Sequence, residues 1–263
     1  MTGTRGRTMA IVQARSTSSR LPGKVLKPLA GVPMIIRQLE RISRATGLDG
    51  IVVATSDDPS DDALAALLAD AGYEYVRGPL EDVLGRFLVA IDSYEPEVVV
   101  RLTADCPLIS PSVIDLVVER FHSSSADYVS NTMQPTYPDG LDVEVTTADA
   151  LRHVASVSSD VREREHVTLG IYRRTEHFTI ENVTDPEGRD NSHLRWTVDD
   201  SADFDFVSEV YNQMHPAEFE YDDVLALLAS NPDLLRTAAD APRNAALDGL
   251  DTGAMNHPRA GDE

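Results

Sequence analysis

Apolar runs and helical periodicities alternate through the first half of the chain. Strands are predicted at 9–14, 51–54, 73–76 and 98–103, the last a continuous apolar run of the kind buried on both faces. Helices are predicted between and after them, at 33–45, 61–71, 80–93 and 111–122. The first carries Ile35, Ile36, Leu39 and Ile42 at helical spacing, with Pro33 in its opening turn and Gly47 past its end. Ser60 and Ser110 are candidate caps, Pro111 suits a first helical position, and Gly72 suits a stop. Such alternation predicts an α/β fold with a parallel doubly wound sheet. The second half is less regular. Strands are predicted at 127–130, 141–145, 178–183 and 194–198, with a turn at Pro138-Asp139-Gly140. Helices are predicted at 148–157, 164–173, 202–214 and 222–230. The organisation expected is one domain over 9–235 with a small hairpin-and-helix insert at about 132–183. Loose residues 1–8 precede it, and a disordered acidic tail covers 240–263.

Composition narrows the function. A hydrophobic content of 42% over 263 residues suits one large domain. The formal net charge of −21 argues against nucleic acid as a partner. No apolar run reaches membrane-span length and no charged-then-apolar leader precedes the first strand, so no membrane partner and a cytoplasmic location are expected. The single cysteine, Cys106, excludes an internal disulfide and a multi-cysteine metal site. Between Asp105 and Pro107 it reads as a small buried residue.

Against that acidic background, Arg15, Arg20 and Lys24 fall within ten residues on the loop leaving the first strand. Open α/β sheets bind ligands there. Guanidinium forks and one ammonium, interleaved with Ser16, Thr17, Ser18 and Ser19, suit a polyanion such as a triphosphate. Of 23 basic residues only Lys24 and Lys27 are lysines. The loop has neither the G-x-x-x-x-G-K-[ST] nor the G-x-G-x-x-G pattern.

Asp105 and Asp199 each end an apolar strand. Two carboxylates from two strand ends can share a hard cation; the alternative for each is a cap or a loop carboxylate. After Tyr137-Pro-Asp139-Gly140, alternation puts Asp142 and Glu144 on one strand face, either toward a hydroxyl-rich ligand or toward solvent. Arg162-Glu-Arg164-Glu165-His166 either holds a substrate anion or forms a solvated helix face, and His166 is a base, a cap or a polar helix residue. Gly78 leads to a helix start with Glu81 and Asp82, where acids suit the dipole, and then to Gly85 and Arg86. Ala54-Thr55 ends the second strand, where a base or ribose can lie. No nucleophile–base–orienter trio is present, which argues against covalent catalysis.

Taken together, these motifs resemble the cytidylyltransferases that make CMP-sugars, including the spore-coat polysaccharide SpsF branch and the CMP-acylneuraminate and CMP-Kdo synthetases. The resemblance covers roughly 9–215. It rests on Gln13-Ala-Arg15 through Arg20-Leu-Pro-Gly-Lys24-Val-Leu-Lys27-Pro-Leu, on Gly78 with Glu81-Asp-Val-Leu-Gly-Arg86, and on Arg101-Leu-Thr-Ala-Asp105-Cys-Pro-Leu. It rests also on Pro138-Asp-Gly-Leu-Asp-Val-Glu144, on Arg164-Glu-His166-Val-Thr and on Arg195-Trp-Thr-Val-Asp199. It implies a Rossmann-like doubly wound, mixed and mostly parallel sheet of the nucleotidyltransferase (GT-A-like) type. It implies that Arg15 and Lys24 hold the CTP triphosphate with help from Arg20, that Asp105 and Asp199 ligate Mg²⁺, and that Ala54-Thr55 lies by the cytosine. Ala14, Gly78, Asp82, Arg86 and Thr103 complete the expected nucleotide site, with Arg15, Lys24 and Asp105 catalytic. Tyr137, Asp139, Asp142, Glu144, Arg164, His166 and Arg195 are the expected contacts of a small sugar acceptor. The resemblance also implies a homodimer formed through the second-half insert. One departure is visible: Arg15-Ser-Thr-Ser-Ser-Arg20 stands where the family's loop reads closer to R-x-G-S-x-R.

Three other readings stay open: transfer to a sugar phosphate or phosphonate, with Arg162, Arg164 and Arg195 as the cation supply; a non-catalytic nucleotide-binding subunit; and a glycosyltransferase. The last would use a D-x-D metal motif. Asp203-Phe-Asp205 fits that pattern but falls inside a predicted helix, where its carboxylates do not converge.

Overall fold

The computed structural model describes residues 6–214, 218–237 and 243. Of the ends expected to be loose, 1–5, 240–242 and 244–263 lie outside the described residues.

Four parallel strands form one half of a seven-stranded sheet. They are β1 (Thr8–Gln13), β4 (Gly50–Ser56), β5 (Tyr75–Gly78) and β6 (Val98–Thr103); a small separate antiparallel ribbon of β2 (Pro28–Leu29) and β3 (Val32–Pro33) lies between β1 and β4 in the chain. The other half comprises β7 (Tyr128–Ser130), β8 (Glu144–Thr147) and β9 (Ile180–Asn182), and the order is β5-β4-β1-β6-β8-β7-β9. Strand β8 alone runs antiparallel to its neighbours β6 and β7. The sheet is therefore mixed and mostly parallel, and the segment expected as an insert contributes β8 and β9 to it.

Helices cover both faces. On one lie α1 (Met34–Ile42), α2 (Asp62–Asp70), α4 (Pro111–Ser123), α8 (Ser201–Gln213) and α9 (Tyr221–Ser230), packed on a core that includes Val12, Leu39, Val100, Val117, Trp196 and Val207. On the other, α3 (Val83–Tyr94), α5 (Ala148–Val157) and α7 (Leu169–Tyr172) pack on Ile11, Val52 and Val99, with α6 (Val161–Glu165) against α3. Burying both sheet faces explains the near-continuous apolar runs of β1 and β6.

Several expected elements differ. The helix expected at 164–173 is broken into α6 and α7 at Val167, a β-branched residue with φ of 21°. The strand expected at 141–145 starts only at Glu144, because Leu141 and Val143 are buried without a partner strand. No strand forms at 194–198: Leu194, Trp196 and Val198 are buried, but only isolated bridges of Leu194 to Thr237 and Arg195 to Asp139 occur. Gly140 (φ 110°) makes that packing possible, since a Cβ there would stand 2.6 Å from the Thr197 nitrogen. The cap of α2 is Asp61 rather than Ser60. Ser110 and Pro111 open α4 as expected.

Candidate active site

A cleft of about 310 Å³ opens where the ends of β1 and β6 meet the loop 14–25. Gly23 (φ 67°) lets that loop turn back, and its N–H donates to Ser16 O. The Asp61 carboxylate accepts the Ser16 backbone N–H at 2.5 Å, tying the loop to the segment after β4. Arg15, Arg20, Lys24 and Arg86 all line the cleft, a concentration of cations in a strongly acidic chain.

Asp105 and Asp199 meet at one point. The Lys24 ammonium stands 3.5 Å from Asp105 Oδ2 and 3.2 Å from Asp199 Oδ1, and donates at 2.6 Å to Val198 O. Arg20 and Arg195 reach the other oxygen of Asp199, at 3.1 and 2.8 Å. Burial raises the Asp105 pKa, but Lys24 and the hydroxyl of Thr103 (2.5 Å) outweigh it and hold the carboxyl below its ordinary value. Two carboxylate oxygens already sharing one cation form an oxygen-only set that suits a hard divalent metal. Asp105 and Asp199 would therefore fit such an ion, magnesium included.

Arg86 was expected beside the nucleotide and is almost wholly buried, at 2% exposure. Its Nε and Nη1 have no hydrogen-bond partner among the described residues. Burial, with Arg15 adding repulsion, lowers its pKa. The neighbouring carboxylate of Asp82 caps α3 through Gly85 N and pairs with Arg164. Gly78 lets α3 approach β5: a Cβ there would lie 3.0 Å from Arg86 Cγ. Thr55 is buried, its hydroxyl also without a partner among the described residues. Ala14 and Thr103 line the cleft.

The expected acceptor residues are placed differently. His166 lines the cleft, and burial lowers its pKa, keeping the imidazole neutral at neutral pH. The other six do not line it. Tyr137 is packed edge-on against Tyr221. Arg195 is buried among Asp139 (3.1 Å), Asp199 and Asp203 (2.9 Å). Asp142 pairs with Arg243, which also donates to Tyr137 O. Glu144 is buried against Arg101, Tyr128 and Thr168. Arg164 is held by Asp82. Cys106 is free and buried, and burial pushes its thiol up, away from nucleophilic use.

Two polar residues that the sequence reading named only within motifs, without a role of their own, also line the cleft: Gln13 and Glu165. A polar Gln at the end of an apolar strand was the available signal for the first.

The cytidylyltransferase family model matches residues 9–228. The chain belongs to the cytidylyltransferase family. The spore coat polysaccharide biosynthesis protein SpsF of Bacillus subtilis is 31% identical over 229 residues, covering 85% of this chain and 94% of that protein. A 3-deoxy-manno-octulosonate cytidylyltransferase of Hydrogenovibrio crunogenus is 31% identical over 157 residues, 58% of this chain and 62% of its own. Among solved structures, a cytidylyltransferase from Leptospira borgpetersenii superposes with a TM-score of 0.83 at 29% identity, covering 88% of this chain and 97% of its own. The chain is thus a cytidylyltransferase by family, and its sheet is the nucleotidyltransferase sheet.

Proposed function

We propose that this cytidylyltransferase moves CMP from CTP to the hydroxyl of a sugar, an acidic one, and releases pyrophosphate for polysaccharide or glycoconjugate synthesis. The observation that carries the reading is the convergence of Asp105 and Asp199 on Lys24, at the mouth of a loop that also presents Arg15 and Arg20. The 3-deoxy-manno-octulosonate named for one relative is an acidic sugar, which supports the acceptor class.

In this reading Arg15, Arg20 and Lys24 bind the β- and γ-phosphates and stabilise charge on the departing pyrophosphate. The acceptor oxygen attacks the α-phosphorus in line, its proton passing to solvent or a cleft base as the bond to pyrophosphate breaks. The α-phosphate lies beside Asp105, where a magnesium ion held by Asp105 and Asp199 would supply charge neutralisation. Arg86, buried and short of acceptors, offers its N–H groups to the nucleotide on the β4–β5 side, near Thr55. His166 is the acceptor-side contact that the cleft supports best. A homodimer accompanies the reading on the strength of the resemblance, and a cytoplasmic location is consistent with a biosynthetic enzyme family. No helix among the described residues is long and apolar enough to cross a membrane.

The other readings find less support. Arg162 pairs with Asp160, Arg164 with Asp82 and Arg195 with three carboxylates, so among the described residues these arginines form no second open cation cluster for an acceptor phosphate. Asp203 is buried on Arg195 while Asp205 is exposed, so the D-x-D pair does not converge. The test is pyrophosphate release from CTP, UTP, ATP and GTP with Mg²⁺, across acidic sugars and sugar phosphates. CTP-selective release dependent on one acidic sugar supports the proposal; release that needs a sugar phosphate overturns the acceptor class.

A further inference from the structure

Beneath the cleft lies a buried chain of polar groups that phosphate binding by the loop does not use. Glu144 Oε1 accepts from the Tyr128 hydroxyl at 2.5 Å and from Thr168 Oγ1 at 2.6 Å, and Oε2 pairs with Arg101 Nη1. Arg101 Nε in turn donates at 3.1 Å to Gln13 Oε1. A guanidinium has no acceptor, so only the oxygen of the Gln13 amide can face it. The amide NH₂ is thereby directed away from Arg101. It has no partner among the described residues, and Gln13 lines the cleft. In register, Gln13 stands opposite Thr103, whose hydroxyl donates to Asp105. A buried ion pair is weak evidence of stability, because apolar residues of similar volume often serve as well. One that fixes a donor at the floor of a cleft has a different use.

We infer that Arg101 and Glu144 are positioning residues, which lock the Gln13 amide so that its NH₂ donates to a non-bridging oxygen of the nucleotide α-phosphate beside Asp105. The inference rests on the cytidylyltransfer reading. In that reading the reacting phosphate lies beside Asp105 whatever the acceptor is, while the outer phosphates go to Arg15, Arg20 and Lys24.

The test is calorimetric binding of CMP, CTP and pyrophosphate, with Mg²⁺, to wild type, Gln13→Met, Glu144→Gln and the double variant. CMP and CTP carry the α-phosphate and pyrophosphate does not. Gln13→Met should weaken CMP and CTP about 10–100-fold, the effect of a lost hydrogen bond to a charged group, and leave pyrophosphate within about twofold. Glu144→Gln should weaken CMP in the wild-type background and add nothing in the Gln13→Met background, since it acts through Gln13. Gln13→Glu keeps an oxygen facing Arg101, so it covers the case in which Gln13→Met or Glu144→Gln fails to fold, and it should bind CMP more weakly still. Unchanged CMP affinity in the Gln13 variants overturns the inference, as does a Glu144→Gln effect that persists in full without Gln13. A wild type that binds neither CMP nor CTP overturns the proposed function itself.

Discussion

Two regions flank Asp105, and both looked like ligand sites in the sequence because both are rich in charge. In the loop after β1, Arg15 makes no ion pair among the described residues, and Arg20 and Lys24 pair only with carboxylates of the cleft itself, Asp105 and Asp199. In the region from Tyr137 to Glu144 and around Arg195, each charge is matched inside the protein: Arg195 by Asp139, Asp199 and Asp203, Asp142 by Arg243, and Glu144 by Arg101. Charges left open at a strand end can serve a ligand. Charges compensated by distant parts of the chain hold the fold and shape the site from behind. Substitutions should therefore separate the two, costing activity in the first region and stability in the second.

The largest expected effect is at Lys24. Lys24→Ala should lower the rate of pyrophosphate release by about 10²–10⁴-fold. Its urea unfolding free energy should change by only about 1 kcal/mol, because Asp199 keeps Arg20 and Arg195, and Asp105, 30% exposed, keeps the Thr103 hydroxyl. Arg195→Met should do the opposite. It strands Asp203, 1% exposed, without its main partner, so equilibrium unfolding should show a loss of about 3–5 kcal/mol. Comparable stability losses at Lys24 and Arg195 would break the comparison. Arg86→Met sharpens it from the nucleotide side: a buried cation without hydrogen-bond partners at Nε and Nη1 costs the empty protein stability. Calorimetry should give CTP affinity about 10–100-fold weaker, while thermal unfolding shows stability unchanged or up by about 1 kcal/mol.

The smallest effect concerns pH. Burial and the neighbouring Asp142 push Asp139 up to about 7, against the pull of Arg243 and Arg195. A carboxyl that holds its proton more tightly when folded contributes stability that is full below about pH 4, its unfolded value, and is lost as pH rises through about 7. Asp139→Asn should flatten that stretch of the stability curve by about 1–2 kcal/mol, read as urea midpoints at pH 5 and pH 8. An unaltered slope would show that Asp139 is ionised throughout.

The alternation of apolar strands and periodic helices made the parallel half of the sheet legible, from β1 to α4, because strands buried on both faces must be apolar along their length. The same signal misled at 194–198. Leu194, Trp196 and Val198 alternate inward as strand residues do, yet the segment has only isolated bridges. Periodicity reports burial and is silent on which backbone lies alongside. The ribbon of β2 and β3 is too short to carry a period. Within the site, the cationic loop and the Asp105–Asp199 pair stood out as residue types at strand ends. The pairing of Arg195 with Asp139 or of Glu144 with Arg101 joins residues 56 and 43 positions apart, a separation at which spacing carries no information. Arg101, a charge inside the otherwise apolar strand β6, and Gln13 at the end of β1 were visible signs that something polar lay beneath the cleft.

The most direct test is pyrophosphate release from CTP, UTP, ATP and GTP across the acceptor panel, with wild type, Lys24→Ala and Asp105→Asn compared at matched fold by thermal unfolding. The account predicts release from CTP alone, dependent on both metal and acceptor, and its loss in both variants while they remain folded. Acceptor-dependent release that survives in folded Lys24→Ala and Asp105→Asn would contradict it.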